Sequence, residues 1–194
     1  MKKFLIIVLF FNLSHTHAYS IEPQKFVQST VNKASQVLSK SISKEEKMNG
    51  LKIIAKETVD ITGIGFYSLG SARKNLDDNQ KRIYFDLFEN YFLKSFSSRL
   101  AEYTNPEIDV KNKEILNKNY TIVRSVLVAT DERPEVKIDW RVYTKDQKNP
   151  LIRDLIIEGL SLARTQKEEF RSILNSNDDD IYALFKSLKE FYIK

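Results

Sequence analysis

The sequence predicts an α+β fold. N-terminal helices and a long aromatic helix pack on a twisted antiparallel sheet of about four strands, and further helices follow at the C-terminus. Two changes of period carry this prediction. Apolar residues recur at helical spacing from Pro23 to Tyr103, then form short strand-like runs between Tyr120 and Gly159. Helical spacing returns from Ser161. Short connections between the strand-like runs favour antiparallel neighbours.

The chain opens with "MKKFLIIVLFFNLSHTHAYS". Lys2 and Lys3 form a short basic region, Phe4 to Leu13 is apolar apart from Asn12, and Thr16 and Ala18 are small. This is the three-part pattern of a secretory signal. The apolar run is too short for a membrane span, which needs about 20 residues. Cleavage after Ala18 is expected, with an uncleaved anchor as the alternative. Residues 1–18 are then a signal peptide and residues 19–194 a single domain. N-terminal sequencing of the exported protein should begin at or near Tyr19.

A first helix begins at Pro23, with Phe26, Thr30, Val31, Ala34, Val37 and Leu38 at helical spacing. Ser43 and Glu46 form a capping-box pattern for a second, whose face carries Met48, Leu51, Ile54, Ala55 and Val59. Gly63, Gly65 and Gly70 punctuate "TGIGFYSLG" and predict short turns. Asp77 and Gln80 box the start of the longest helix. Along it Tyr84, Phe88, Tyr91, Phe92, Phe96, Leu100 and Tyr103 run down one side towards Pro106. Such a stripe is ordinarily a core face, but its bulk needs a large concave partner.

Strands are predicted at Tyr120 to Thr130, Glu135 to Thr144 and Leu151 to Gly159, with Ile108 to Leu116 as a fourth. The run from Glu135 alternates, with Val136, Ile138, Trp140 and Val142 opposed to Lys137, Asp139, Arg141 and Tyr143. "TIVRSVLVA" is apolar on both faces except at Arg124 and Ser125, so something should cover both sides. A helix then runs from near Ser161 to Leu174. A last one follows "NSNDDD", with Ile181, Leu184, Phe185, Leu188 and Phe191 facing inward.

Residue types narrow the chemistry. The sequence, which contains 12 Phe, 9 Tyr and 1 Trp, has no cysteine, so stability rests on the core and not on disulfides. Its two histidines, His15 and His17, lie in the segment expected to be removed. The mature chain then offers no Ser-His-Asp triad, cysteine nucleophile or zinc site of His and Cys ligands. Ser161 follows Gly159 at a strand-to-helix turn, but a nucleophile elbow needs a second glycine where Ala163 stands. Nor does S-x-x-K spacing surround it, since Arg164 holds that place. No catalytic residue is assigned, and Ser161 is read as a helix cap. Asp178, Asp179 and Asp180 suit a helix N-terminus, with Asn177 or Asp178 as its cap, better than a metal site. The full chain carries +5. Without Lys2 and Lys3, 29 basic residues face 26 acidic ones, a mild +3 with no basic block and no implied nucleic-acid partner.

With this order of elements the chain resembles the MlaC family, also called the toluene-tolerance auxiliary family. The resemblance covers nearly all the mature chain. It is strongest over "IRDLIIEGLSLARTQKEEFRSIL", where Asp154, Glu158, Gly159, Ser161, Leu162 and Phe170 match the family pattern. Leu69-Gly70, Gln80, Phe88, Leu100 and Tyr103 match a second, weaker stretch. Gln166-Lys167 stand where relatives usually have Tyr-Arg, Pro150 where Trp is common, and Ser71-Ala72-Arg73 where aromatic residues often follow Leu-Gly.

The resemblance implies a periplasmic phospholipid carrier, enclosing acyl chains in an apolar lipid cavity with no reaction and no cofactor. Its implied partners are phospholipid, an inner-membrane MCE-domain lipid transporter complex, for which it would be the substrate-binding component of an ABC transporter, and an outer-membrane lipoprotein complex. Its implied role is the maintenance of outer-membrane lipid asymmetry, and a monomer is expected. Two alternatives are a lipid-free periplasmic adaptor or chaperone, and an enzyme on a related cone-shaped fold using Asp139, Asp154 or Glu158. On the strand from Tyr120, one face carries Val123, Ser125, Leu127 and Ala129, whose two small residues leave room beside the sheet. Acyl chains are expected there, with Phe88, Phe92 and Phe96 opposite and Ile138 and Trp140 extending the wall. Gly159 is expected to turn the last strand into the helix that Ser161 caps.

Overall fold

The structure is a computed structural model that describes residues 20–131 and 133–193. The expected cleavage site and both histidines lie outside the described residues. The described residues form six α-helices and a five-stranded sheet, which keep the predicted order with one helix and one strand more than expected. Helix α1 is Pro23–Leu38, α2 Lys44–Thr58, α3 Ile61–Ser68 and α4 Asp78–Leu100. Strands β1 Ile108–Asn117, β2 Tyr120–Leu127, β3 Val136–Tyr143, β4 Leu151–Ile157 and β5 Leu160–Ser161 come next. Helices α5 Leu162–Asn175 and α6 Ile181–Ile193 end the described chain.

Local chemistry accounts for the helix starts. Ser43 and Glu46 cap α2 reciprocally, as Asp77 and Gln80 cap α4, so each box satisfies two otherwise unpaired backbone N–H groups. Helix α6 differs from its expected start. Asp178 and Asp179 take left-handed backbone angles in the preceding turn, and Asp180 accepts the Tyr182 N–H at 2.9 Å. The cap therefore belongs to Asp180, not to Asn177 or Asp178.

The glycine-rich stretch corrects the expectation of turns. Ile61–Ser68 is helical, and only Gly70 remains at the turn beyond it. Asp60 starts α3 by accepting the Gly63 N–H at 2.8 Å. A Cβ on Gly65 would lie 2.9 Å from a ring carbon of Phe88. The missing side chain lets α3 sit directly against α4, and that packing outweighs glycine's weak helix preference.

The sheet is antiparallel throughout, in the order β1-β2-β3-β4-β5. Its fifth strand is the two-residue return after Gly159, where a turn straight into the helix is expected from the sequence. Glu158 and Gly159 take φ of 48° and 82°, reversing the chain so that Leu160 and Ser161 pair with Ile157 and Ile156. At the start of β4, Val59 forms a parallel bridge to Ile152, and the Asp60 N–H donates to the Ile152 carbonyl at 2.9 Å.

Two apolar clusters hold the molecule together. One joins α3, α4, α5 and α6 around Tyr84, Phe88, Phe170, Leu184 and Phe185. The other sets Val27 and Val31 of α1 on a sheet face formed by Val123, Leu127, Ile138, Trp140, Val142 and Ile152. Val59, at the junction of α2 with the sheet, packs against both.

Candidate functional site

The turn from β4 to α5 is built around Asp154, which is 3% exposed. It accepts hydrogen bonds from Ser161 Oγ at 2.6 Å and the Ala163 N–H at 3.0 Å, and pairs with Arg141 at 3.4 Å. Ser161 Oγ in turn accepts the Arg164 N–H at 3.1 Å as the N-cap of α5. Next to it, the Lys137 N–H donates to the Glu158 carboxylate at 2.5 Å, and the Glu158 N–H donates to the Lys137 carbonyl. The Ser-Asp pair is thus engaged in fixing backbone. A buried carboxylate with these partners latches a helix start onto a strand.

The expected lipid-facing residues divide on inspection. Val123, Ser125, Leu127, Ile138 and Trp140 share the inner sheet face, with Val123 opposite Trp140 and Ser125 opposite Ile138. Ala129 does not join them, because β2 ends at Leu127 and Ala129 is exposed beyond it. The room expected beside Ser125 is also taken. Ser125 Oγ accepts from Trp140 Nε1 at 2.9 Å and donates to the Ile138 carbonyl at 3.0 Å. A small polar residue here seats the indole.

Leu155 was missed. Simple alternation along β4 would group it with Leu151 and Arg153. A bulge instead pairs Val142 with Ile152 and Trp140 with Leu155, which puts Ile152 and Leu155 on the inner face. Arg153 is displaced to meet Asp60 at 2.6 Å and Tyr120 Oη at 2.7 Å, with its guanidinium 3.5 Å from the Tyr143 ring centroid. A cation inside an apolar strand was the available signal for that irregularity.

The aromatic stripe of α4 links the clusters. Phe88 is 1% exposed and belongs to the helical cluster, away from the inner sheet face. Phe92 and Phe96 are only half-buried and stack with centroids 5.7 Å apart. After the half-buried Leu100, Tyr103 packs against the sheet cluster. Helix α4 packs chiefly on α2, α3 and α6, whereas the main helical neighbours of the strands are α1, α3 and α5. The residues between Phe88 and Tyr103 therefore form an apolar path from one cluster to the other, part of it left uncovered.

The family's departures also find places. Gln166 accepts from Tyr91 Oη at 2.8 Å, Lys167 lies over the Tyr67 ring, and Pro150 is buried. Tyr91, Gln166 and Phe170 help line an open cleft of about 410 Å³ among α4, α5 and α6. Among the described residues, no group of three or more His, Cys, Asp or Glu could hold a metal ion, and no helix is long and apolar enough to cross a membrane.

One antiparallel sheet with an apolar inner face, backed by a layer of helices and flanked by a partly uncovered aromatic path, defines an α+β sheet-and-helix protein. The model of the MlaC protein family matches residues 27–190. The chain belongs to the MlaC family. A solved structure, described as the phospholipid-binding protein from Ralstonia solanacearum in complex with a phospholipid, shares the fold at a TM-score of 0.74. The two are 17% identical over 89% of this chain and 98% of that one. No curated protein matches the chain.

Proposed function

We propose that this protein is a periplasmic phospholipid carrier that holds acyl chains between α4 and the inner sheet face. The observation that carries the proposal is the half-buried run Phe92, Phe96 and Leu100, which lies between the two apolar clusters in a chain of the MlaC family. Trp140 and Leu155 provide the facing wall. Phe88 is a core residue in this reading, and Ala129 has no part in the wall.

The physical need is plain. Each buried methylene contributes about 0.8 kcal/mol, so a two-chain lipid hardly exists free in water. A protein that covers the chains removes that barrier between two membranes without reacting with the lipid. Asp154, Asp139 and Glu158 then serve the framework: Asp154 and Glu158 through the bonds above, Asp139 in register with Arg124 across the sheet. The protein acts as a monomer without a cofactor. It exchanges lipid with an inner-membrane MCE-domain transporter complex and an outer-membrane lipoprotein complex, maintaining outer-membrane lipid asymmetry.

Trp140 is the only tryptophan in the sequence, so it reports on the wall without ambiguity. Protein purified without detergent should show bound phospholipid by native mass spectrometry. After delipidation, reloading with phospholipid brominated on its acyl chains should quench Trp140 emission. Absence of both bound lipid and quenching would overturn the proposal.

A further inference from the structure

The loop between β2 and β3 carries a guanidinium for which the framework gives no complete account. Arg133 is fixed there by reciprocal backbone bonds with Thr130, of 2.8 and 3.2 Å. The loop leaves the sheet at Leu127 and Val136, which pair with each other and pack in or against the sheet cluster. The Arg133 guanidinium carbon lies 5.2 Å from the centroid of Tyr103. Tyr103 ends the aromatic path of α4 and packs on that same cluster. Arg133 therefore stands at the rim of the sheet, where the path of Phe96 and Leu100 arrives.

Its Nε is buried. Among the described residues it is the one buried side-chain nitrogen or oxygen with no hydrogen-bond partner. Arginine stays charged at any ordinary pH, and a buried charged donor without an acceptor is costly. Such groups ordinarily mark a missing partner. The Tyr103 ring attracts the cation but offers no acceptor lone pair in the plane of the guanidinium.

We propose that Arg133 binds the phosphate of the carried lipid. This rests on the carrier reading above. With acyl chains beside Phe92 and Phe96, the head end of the lipid lies towards Tyr103 and Arg133. A phosphodiester supplies anionic oxygens that match the planar guanidinium donors, and binding supplies Nε with its acceptor. Tyr103 holds the guanidinium plane while the site is empty of lipid. The contact recognises the phosphate shared by phospholipids and leaves the remainder of the headgroup unselected.

The test uses soluble short-chain lipids, dihexanoyl phosphatidylglycerol and dihexanoylglycerol, on delipidated protein, with Trp140 emission as the readout. Wild type should bind the phosphate-bearing lipid about tenfold or more tightly than the neutral one, the scale of a charge-assisted hydrogen bond. Arg133→Gln should lose that preference and still bind the neutral lipid as wild type does. Arg133→Lys should keep part of the preference, weakened by added salt. Should the glutamine variant fail to fold, the lysine variant and the wild-type salt dependence decide the matter. Equal wild-type affinity for the two lipids, or a preference that survives in Arg133→Gln, would overturn the assignment and leave the carrier reading standing. Binding of neither lipid would overturn the carrier reading, and this inference with it. Inorganic phosphate alone is the remaining arm. If it shifts the Arg133 Nε–H resonance at concentrations well below those of the lipid, the site is one for free phosphate and the lipid assignment is wrong.

Discussion

Trp140 Nε1 donates to Ser125 Oγ at 2.9 Å, and the two residues sit diagonally across the β2–β3 pair on the inner sheet face. The hydroxyl in turn donates a hydrogen bond to the Ile138 carbonyl, so three groups are satisfied by one small side chain. Ser125→Ala removes the acceptor and leaves a buried indole N–H unpaired. A loss of about 1–3 kcal/mol is expected in urea unfolding, with a shift of Trp140 emission. Trp140→Phe in the same background removes the orphan donor, so the double variant should lose less than the two single losses added together.

Ser125→Trp now has a different expected outcome from the one an open space would give. The site beside Ser125 is filled by Trp140, and Ser125 is 2% exposed. A second indole overpacks the face, at a cost of about 1–3 kcal/mol or more. Thermal unfolding of the delipidated variant checks this. Unchanged stability would mean that the face is more open than the Ser125–Trp140 contact implies.

Asp154 joins strand, turn and helix. Asp154→Asn keeps the shape but replaces one acceptor oxygen by an NH2 donor facing Ser161 Oγ or the Ala163 N–H. The expected loss is about 1–3 kcal/mol. Ser161→Ala should cost about 1 kcal/mol as a lost cap. Because the two side chains share a bond, the double variant should be less unstable than the sum of the singles. Additive losses would show that the 2.6 Å contact carries no coupling.

Tyr84 makes stability depend on alkaline pH. Burial raises its phenol well above the ordinary range, and the nearby Tyr91 adds to the shift. The neutral hydroxyl donates to the Gly65 carbonyl at 2.9 Å. Unfolded tyrosine loses its proton near about pH 10. Above that pH the unfolded state binds fewer protons than the native one, so stability falls as pH rises, by up to about 1.4 kcal/mol per unit for this one group. Tyr84→Phe should reduce that slope in urea unfolding between about pH 10 and 11. Burial raises the phenol of Tyr91 too, so part of the slope should persist.

Elements with a strong local signal were legible in the sequence. The capping boxes at Ser43 and Asp77, the long α4, the alternation of β3 and the Asp154–Ser161 turn all follow from nearby residues. Features that depend on distant partners were not. Gly65 reads as a breaker until Phe88 is seen packing where its side chain would be. Leu155 reads on the wrong face until the bulge at Arg153 shifts the register. Ser125 reads as empty space because its diagonal partner, Trp140, lies on another strand. Arg133 gave no local signal, since its place depends on Tyr103 coming back from the far end of α4.

The two ends of the α4 stripe should respond differently to truncation. Phe88 is 1% exposed and packed among Gly65, Tyr84 and Phe170, with ring centroids 5.6 Å from Tyr84 and 6.1 Å from Phe170. Removing its ring opens a void that these neighbours cannot refill, so Phe88→Ala should cost about 3–5 kcal/mol. Phe96 is half-buried and already leaves part of its ring in water. Its truncation sacrifices less buried surface, and Phe96→Ala should cost about 1 kcal/mol in the delipidated protein. If acyl chains cover that ring, the lipid-bound state loses contacts that the empty protein never had. Lipid phosphorus per protein should then fall in Phe96→Ala while the apo melting temperature moves little. Phe88→Ala should show the reverse weighting, a large drop in melting temperature with lipid content lowered only in proportion to unfolding. A Phe96→Ala protein that keeps its full lipid content would remove α4 from the pocket wall, and with it the seam between the two clusters as the carrier site.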